Sequence, residues 1–493
     1  MLTPTPAAPA IPPFVPSNGP LMGTLGNGVS PPQPMMPAPA PAAAPRYAIP
    51  PAAHPMRGDL IRGLLQELNR LSTTETTGPN NAVMNSLTDM LLRDAVRERA
   101  TDIHLDPLRD GVHVRLRIDG KLLDTEVLGH DHGTRLIRHF KVISNLDTSH
   151  AFRIADSRIT HSVEGRLIDL RLAAAPTVAG EKLSIRLLEP DRVQQRLDQL
   201  GLSEGQYEQI RHAMANTRGM FLVAGPTGSG KTTTAYSLLH ELKGCGCAIV
   251  TVEDPVEYEI DGISQIQVDD RHGLTFADAL RGVLRLDADY ILMGEVRDAA
   301  AADAAVDTAG SGRVLMSTIH SPDAVGTITS LRNLGVSDSE IATSVRMVIA
   351  QRLVRRLCPL CRRLESPGDL DKRWLKSMPL AEMPTQVWSA GGCASCRNLG
   401  HMGRIGLFGV WTLGDDDCAL ILDHAPERVL RQHLASQNYY SVAHDGLHKA
   451  MLGITSFAEV RASGLGGIAE SQAAGQAPAA DQAPGPRPAA YSA

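Results

Sequence analysis

Apolar residues along this chain change their period near residue 196, and the change predicts two kinds of domain. From Asp59 to Leu71 the apolar positions Leu60, Ile61, Leu64, Leu65, Leu68 and Leu71 keep helical spacing. That face either packs on the protein's own core or binds a partner. Met84 to Ala100 reads as a second helix. Val112 to Ile118 alternates as a strand does, Asp119-Gly120 supplies the turn after it, and Leu167–Leu172 and Leu183–Leu187 alternate likewise. Beyond residue 196 come short apolar runs separated by helical stretches: Met220–Ala224, Ala248–Val252, Tyr290–Met293 and Val314–Ser317. Such strands predict a parallel sheet covered on both faces. The fold class is α/β, with a mixed domain over 81–195 and a parallel-sheet domain over 196–462, joined to a helix or linker at 57–80.

The two ends of the 493 residues take no part in this pattern. Residues 1–56 hold 17 of the 33 prolines and one charged side chain, Arg46. Residues 463–493 are rich in Ala, Gly, Gln and Pro. Few large apolar groups there offset the entropy of ordering, so both ends are predicted to be disordered, the first as a spacer or as a docking tail. With 48 basic and 54 acidic residues the net charge is −6, which argues against a protein that coats nucleic acid. No apolar run approaches the roughly 18–20 residues of a bilayer span, and no basic segment followed by an apolar one marks a secretory signal. Seven cysteines are too few for a disulfide scaffold and fit a reducing cytosol. Of these, Cys245 and Cys247 read as small packing residues.

Gly225, Pro226, Thr227, Gly228, Ser229, Gly230, Lys231 and Thr232 fit the pattern G-x-x-x-x-G-K-[ST]. Phe221–Ala224 leads in as an apolar strand, and Thr233–Leu242 reads as the helix that follows. Glycines there let backbone N–H groups converge on phosphate oxygens at a positive helix end. Lys231 then reaches the β- and γ-phosphates, and the Thr232 hydroxyl ligates Mg²⁺; Thr233 completes the nucleotide-binding stretch. Two acidic segments close apolar strands, where open parallel sheets place ligands: Tyr290 to Glu295, and Glu253 to Glu257. On spacing alone the second also fits a solvated acidic turn. Cys358-Pro-Leu-Cys361 and Cys393-Ala-Ser-Cys396 are C-x-x-C pairs separated by 31 residues, which fit a closed tetrathiolate Zn²⁺ site or, alternatively, free thiols.

Together these residues resemble the secretion ATPase superfamily that powers type II secretion and type IV pilus assembly, over about residues 83–462. Val252 to Glu257 is similar to its Asp box, Met293 to Asp298 to its atypical Walker B segment, and Ser317 to His320 to the core of its His box. Ala100 to Pro107 and Arg117 to Gly120 resemble hallmarks of its N-terminal domain, and Asp445 to Thr455 its closing segment. The resemblance implies a PAS-like α+β domain, then a RecA-like P-loop NTPase domain with a zinc-binding tetracysteine insertion at 358–396. It implies ATP, Mg²⁺ and Zn²⁺. It makes Glu295 the residue that polarises water, Glu253 a positioner of Mg²⁺ and His320 a sensor of the γ-phosphate. Arg158 and Arg171 of the N-terminal domain then reach the nucleotide. Arg281 and Arg285, four apart and so on one helical face, resemble paired arginines that contact it. The implied partners are a homo-hexamer and an inner-membrane platform protein, without nucleic acid. The implied place is the cytoplasm, peripheral at the inner face of the membrane.

The chain also departs from the family. Leu284 to Asp289 lacks the usual Gln and Pro, Ala299–Ala302 replaces a Glu-Thr, Arg313 stands for the first histidine of the His box, and Arg153 to Arg158 keeps only part of an arginine-rich stretch. With Lys231, Thr232, Glu253 and Glu295 intact, hydrolysis is expected. Competing readings are a nucleotide-binding scaffold that has lost turnover, and a pilus retraction motor, a type that typically lacks the four cysteines. A nucleic-acid translocase is disfavoured by the charge and by the lack of a basic stretch with interleaved aromatics.

Overall fold

The alternating segments become a six-stranded antiparallel sheet: β1 (Ala100–Leu108), β2 (Gly111–Ile118), β3 (Lys121–Leu128), β4 (Ala155–Val163), β5 (Arg166–Thr177) and β6 (Gly180–Leu188), ordered β3-β2-β1-β6-β5-β4. The structure, a computed structural model, describes residues 81–148, 153–188, 195–216, 218–376, 378 and 383–465. The predicted helix at 59–71 and the predicted disorder of 1–56 and 466–493 lie outside these residues. Residues 463–465, expected in the tail, instead form a last helical turn in which Leu465 is buried and its carbonyl accepts from the Trp374 indole at 3.3 Å.

Asp119 (φ 50°) and Gly120 (φ 82°) make the β2–β3 turn. A two-residue hairpin of this twist needs both in left-handed backbone. Helices Asn81–Arg97 and His130–Ile143 cover the sheet. Their Leu87, Leu91, Leu92, Leu136, Ile137 and Phe140 share one core with Ile103, Leu105, Val114 and Ile185. Each such side chain contributes about 1.5–3 kcal/mol by leaving water. The first helix stops at Arg97 rather than at Ala100, because Arg99 (φ 58°) takes a backbone no right-handed helix passes through.

In the second domain, β7 (Gly219–Ala224), β8 (Ile249–Glu253), β9 (Ser264–Gln267), β10 (Tyr290–Val296), β11 (Val314–Ile319) and β12 (Val345–Leu357) run parallel, in the order β12-β7-β11-β10-β8-β9. Every residue of β7 and β11 is buried, Ser317 and Thr318 included. β13 (Arg363–Glu365) and β14 (Val387–Ser389) form a separate ribbon, and β15 (His401–Thr412) pairs antiparallel with β12. The expected all-parallel sheet is thus mixed. β12 and β15 escaped the pattern reading because charged and polar residues interrupt β12 and glycines interrupt β15.

Parallel strands share a direction, so Ala224, Glu253, Glu295, Ile319 and Ala350 gather toward one edge of the sheet. The two domains meet where Gly403 N–H donates to Asp119 Oδ2 at 2.8 Å and where Arg397 pairs with buried Glu98. Cys245 and Cys247 are not merely packing residues: they are joined as a disulfide in the loop before β8. The glycines beside and between them, Gly244 (φ 89°) and Gly246 (φ 73°), let the chain curl that tightly.

Candidate nucleotide-binding site

From β7 the chain turns through residues 225–230 into helix Lys231–Leu242, which begins with Lys231 itself. A Cβ on Gly225 would lie 2.5 Å from Ser229 Oγ and 2.7 Å from the Gln351 carbonyl oxygen, so only glycine fits. Such a turn into a helix N-terminus collects N–H groups toward an anion. Lys231 Nζ donates to the carbonyls of Gly225 (3.0 Å) and Pro226 (3.2 Å) and lies 3.5 Å from His320 Nδ1. An ammonium only donates, so Nδ1 is the accepting atom of that contact. The ring's Nε2 faces Glu295 Oε2 at 3.7 Å. Burial holds Lys231 below its ordinary pKa; Glu295 pulls the other way, and Arg352 adds to the depression.

These groups line a cavity of about 570 Å³ that also takes in Thr227, Gly228, Ser229, Gly230, Thr232, Thr233, Glu253, Asp254, Thr318 and Gln351, with Arg99 and Asp119 from the first domain. Its size lies within the usual range of ligand sites. Thr232 is exposed in the cavity wall. Glu253, by contrast, is 3% exposed, and both its oxygens are engaged. Tyr236 donates to one; Thr251 Oγ1 (2.6 Å) and Gln265 Nε2 (3.3 Å) donate to the other. Burial and the adjacent Glu253 push the Tyr236 phenol far above the usual tyrosine value.

Pattern reading quoted Arg297 within a motif but gave it no role. Its guanidinium stacks over Phe276 at 5.1 Å, bonds Asp254 at 3.0 Å and lies 4.0 Å from Glu295. Its place two residues after Glu295 in extended chain was a usable signal. Gln351 and Arg352 were missed too. A glutamine and an arginine buried in the middle of β12 stand out once the strand is known.

Arg158 and Arg171 sit directly opposite one another on β4 and β5, so both side chains leave the same face. Arg171 meets Glu257 at 2.8 Å; Arg158 bonds Asp169 at 2.6 Å and the Val256 carbonyl at 3.3 Å. Both therefore rest on the acidic turn after β8, outside the cavity lining. Arg281 lies in a helix and Arg285 in the turn that continues it. Helix Phe276–Val283 ends before Arg285, both side chains are exposed, and neither lines the cavity of its own chain. Arg313 donates to the carbonyls of Ala288 (3.0 Å) and Leu284 (3.2 Å), bracing the turn before β10.

At the far end of β12, the Sγ atoms of Cys358, Cys361, Cys393 and Cys396 lie within 4.8 Å of one another, with Cys358–Cys393 at 3.8 Å and Cys361–Cys396 at 3.6 Å. Thiolates about 2.3 Å from zinc span tetrahedral edges of about 3.8 Å, so the donor set fits that ion. The backbone N–H groups of Cys393 (3.3 Å) and Gly400 (3.2 Å) donate to Cys396 Sγ and fix its position in the cluster.

A phosphate-binding turn at the carboxyl edge of parallel strands, facing an acid that an imidazole separates from the loop lysine, is the arrangement of a P-loop ATPase. Within that class the chain belongs to the family described as type II/IV secretion system protein, which residues 78–462 match. It is 36% identical over 382 residues to the type II secretion system ATPase E of Vibrio cholerae, covering 77% of this chain and 75% of that protein. It is 38% identical over 378 residues to the type IV pilus assembly ATPase PilB of Acinetobacter baylyi, covering 75% of this chain and 64% of that protein. Among solved structures, the Legionella pneumophila ATPase DotB shares the fold with a TM-score of 0.57 at 20% identity, over 79% of this chain and 97% of that one. The pilus retraction motor PilT with bound ADP does so with a TM-score of 0.53 at 20% identity, over 76% and 96%. No described helix is long and apolar enough to cross a membrane.

Proposed function

We propose that this chain is the ATPase motor of a type II secretion or type IV pilus assembly machine, working as a homo-hexamer at the cytoplasmic face of the inner membrane against a platform protein there. The observation that carries the reading is the row Lys231–His320–Glu295, in which one imidazole stands 3.5 Å from the loop lysine and 3.7 Å from the acid. In it Lys231, freed from the Gly225 and Pro226 carbonyls, binds the terminal phosphates. His320 senses the γ-phosphate from between the two groups, and Glu295 orients the attacking water. The Thr232 hydroxyl would hold Mg²⁺, with Glu253 positioning it, and the ion would supply charge neutralisation at the phosphates. The hydrogen bonds on Glu253 fix its carboxylate for that part. The antiparallel domain takes the PAS-like role, with Arg158 and Arg171 supplying cations on the nucleotide side and Arg281 and Arg285 lying on a surface open to a neighbouring subunit. The four cysteines hold a structural Zn²⁺, and this site favours an assembly or secretion motor over a retraction motor. Arg313, where the family has a histidine, braces the turn before β10 and does not line the cavity.

The test is Mg²⁺-dependent phosphate release by the full chain beside Glu295→Gln. Turnover should vanish in the variant while ATP binding persists; equal turnover in both would overturn the assignment of Glu295.

A further inference from the structure

The residue that sets the phosphate loop's peptide orientation lies outside the loop, on β12. Gln351 is 2% exposed and lines the cavity. Its Nε2 donates to the Ser229 carbonyl at 2.6 Å, while its Oε1 faces no donor. The amide has one workable orientation, since turning it over would set two oxygens against each other at that distance. Its strand is fixed by the neighbour Arg352, which donates to the Gln351 carbonyl (3.1 Å) and to the Pro322 carbonyl, two residues past His320. A trans peptide carries its C=O and N–H in opposite directions. Holding the Ser229 oxygen toward β12 therefore turns the Gly230 N–H away from β12, at the N-cap of helix Lys231–Leu242.

We propose that Gln351 is a positioning residue of the phosphate loop: its carboxamide locks the Ser229–Gly230 peptide so that Gly230 N–H joins the donors that meet the β-phosphate. The proposal rests on the nucleotide-site reading above. Gly230 has left-handed backbone (φ 87°) and no Cβ, so nothing else in its own residue resists rotation of that peptide. Leu or Met at position 351 removes the donor, and Glu keeps the shape while presenting oxygen to oxygen.

The experiment measures ADP and AMP affinity and steady-state ATPase kinetics of the full chain, for wild type, Gln351→Leu, Gln351→Met and Gln351→Glu. A lost hydrogen bond to a phosphate-binding group weakens binding by about tenfold. Expected is a fall of that size in ADP affinity and a matching rise in KM, with kcat within about twofold, since an interaction made equally in ground and transition states sets KM. AMP, which lacks the β-phosphate, should bind all four proteins alike. ADP affinity and KM at wild-type level in the variants would overturn the proposal. So would equal losses for AMP and ADP, which mean a generally deformed cavity; Gln351→Met, unbranched like glutamine, guards against a packing defect in Gln351→Leu. A wild type that binds no nucleotide would instead overturn the site reading, and this proposal with it.

Discussion

Arg171 and Glu257 meet at 2.8 Å, joining β5 of the antiparallel domain to the acidic turn that follows β8. Arg158 reaches the same turn through the Val256 carbonyl. The first domain thus bears directly on a wall of the nucleotide cavity within one chain. A partly exposed pair of this kind contributes no more than about 1 kcal/mol. Arg171→Ala and Glu257→Ala should each lose about that much in urea unfolding, and the double variant no more than either alone. Losses that add would mean the two groups do not interact.

The tetracysteine loop makes a second contact between the domains. Arg397 follows Cys396 directly and pairs with Glu98, both side chains nearly buried. On the zinc reading proposed above, treatment with a chelator, or Cys358→Ser, should therefore expose more than the insertion. Amide exchange should rise at residues 98–105, at the start of β1, as well as around 393–400. Exchange confined to the insertion would disconnect the metal site from the domain contact. Structural zinc in small domains contributes on the order of 10 kcal/mol of apparent binding energy, so the difference is large enough to read.

Glu253 is expected to act on stability as well as on chemistry. Replacing it with Ala strands the buried Thr251 hydroxyl and the Tyr236 phenol, at about 1–3 kcal/mol for each group left unpaired. Glu253→Gln keeps the shape and an acceptor and should cost less. Tyr236→Phe should cost about 1 kcal/mol. Denaturant midpoints measure all three; an Ala variant as stable as the Gln variant would contradict the hydrogen-bond account.

Glu459 sets a pH dependence. Burial alone would raise its carboxyl, but bonds from Arg355 Nε (2.9 Å) and Nη2 (2.5 Å) outweigh that and hold its pKa below the ordinary glutamate value. A carboxyl lowered on folding stabilises the fold above its unfolded pKa, and that contribution disappears as pH falls through the folded one. The gap in Tm between wild type and Glu459→Gln should be full at pH 7 and close below about pH 4. A gap that ignores pH would rule the pair out as its source.

The features legible in the sequence were those written in local spacing. The phosphate turn, the apolar strands that lead to it, the Asp119-Gly120 hairpin and the two C-x-x-C pairs each declare themselves within a dozen residues. What stayed hidden depends on chain segments far apart. Gln351 matters because β12 pairs with β7 and brings it against Ser229, 122 residues away. Helical spacing put Arg281 and Arg285 together, but the helix ends at Val283 and leaves Arg285 in the turn after it. Cys245 and Cys247 lacked any metal-site spacing, and their bond depends on the glycine-rich turn that holds them.

β12 runs for 13 residues, against six in β7 and β11, and its surplus length matters mechanically. Gln351 sits in its middle against the phosphate turn, and Leu357 at its end leads into Cys358, roughly 20 Å further on at strand rise. Clamped along one side by β15 and along part of the other by β7, the strand can neither slide nor bend freely. The phosphate turn and the cysteine loop are therefore carried on one continuous strand.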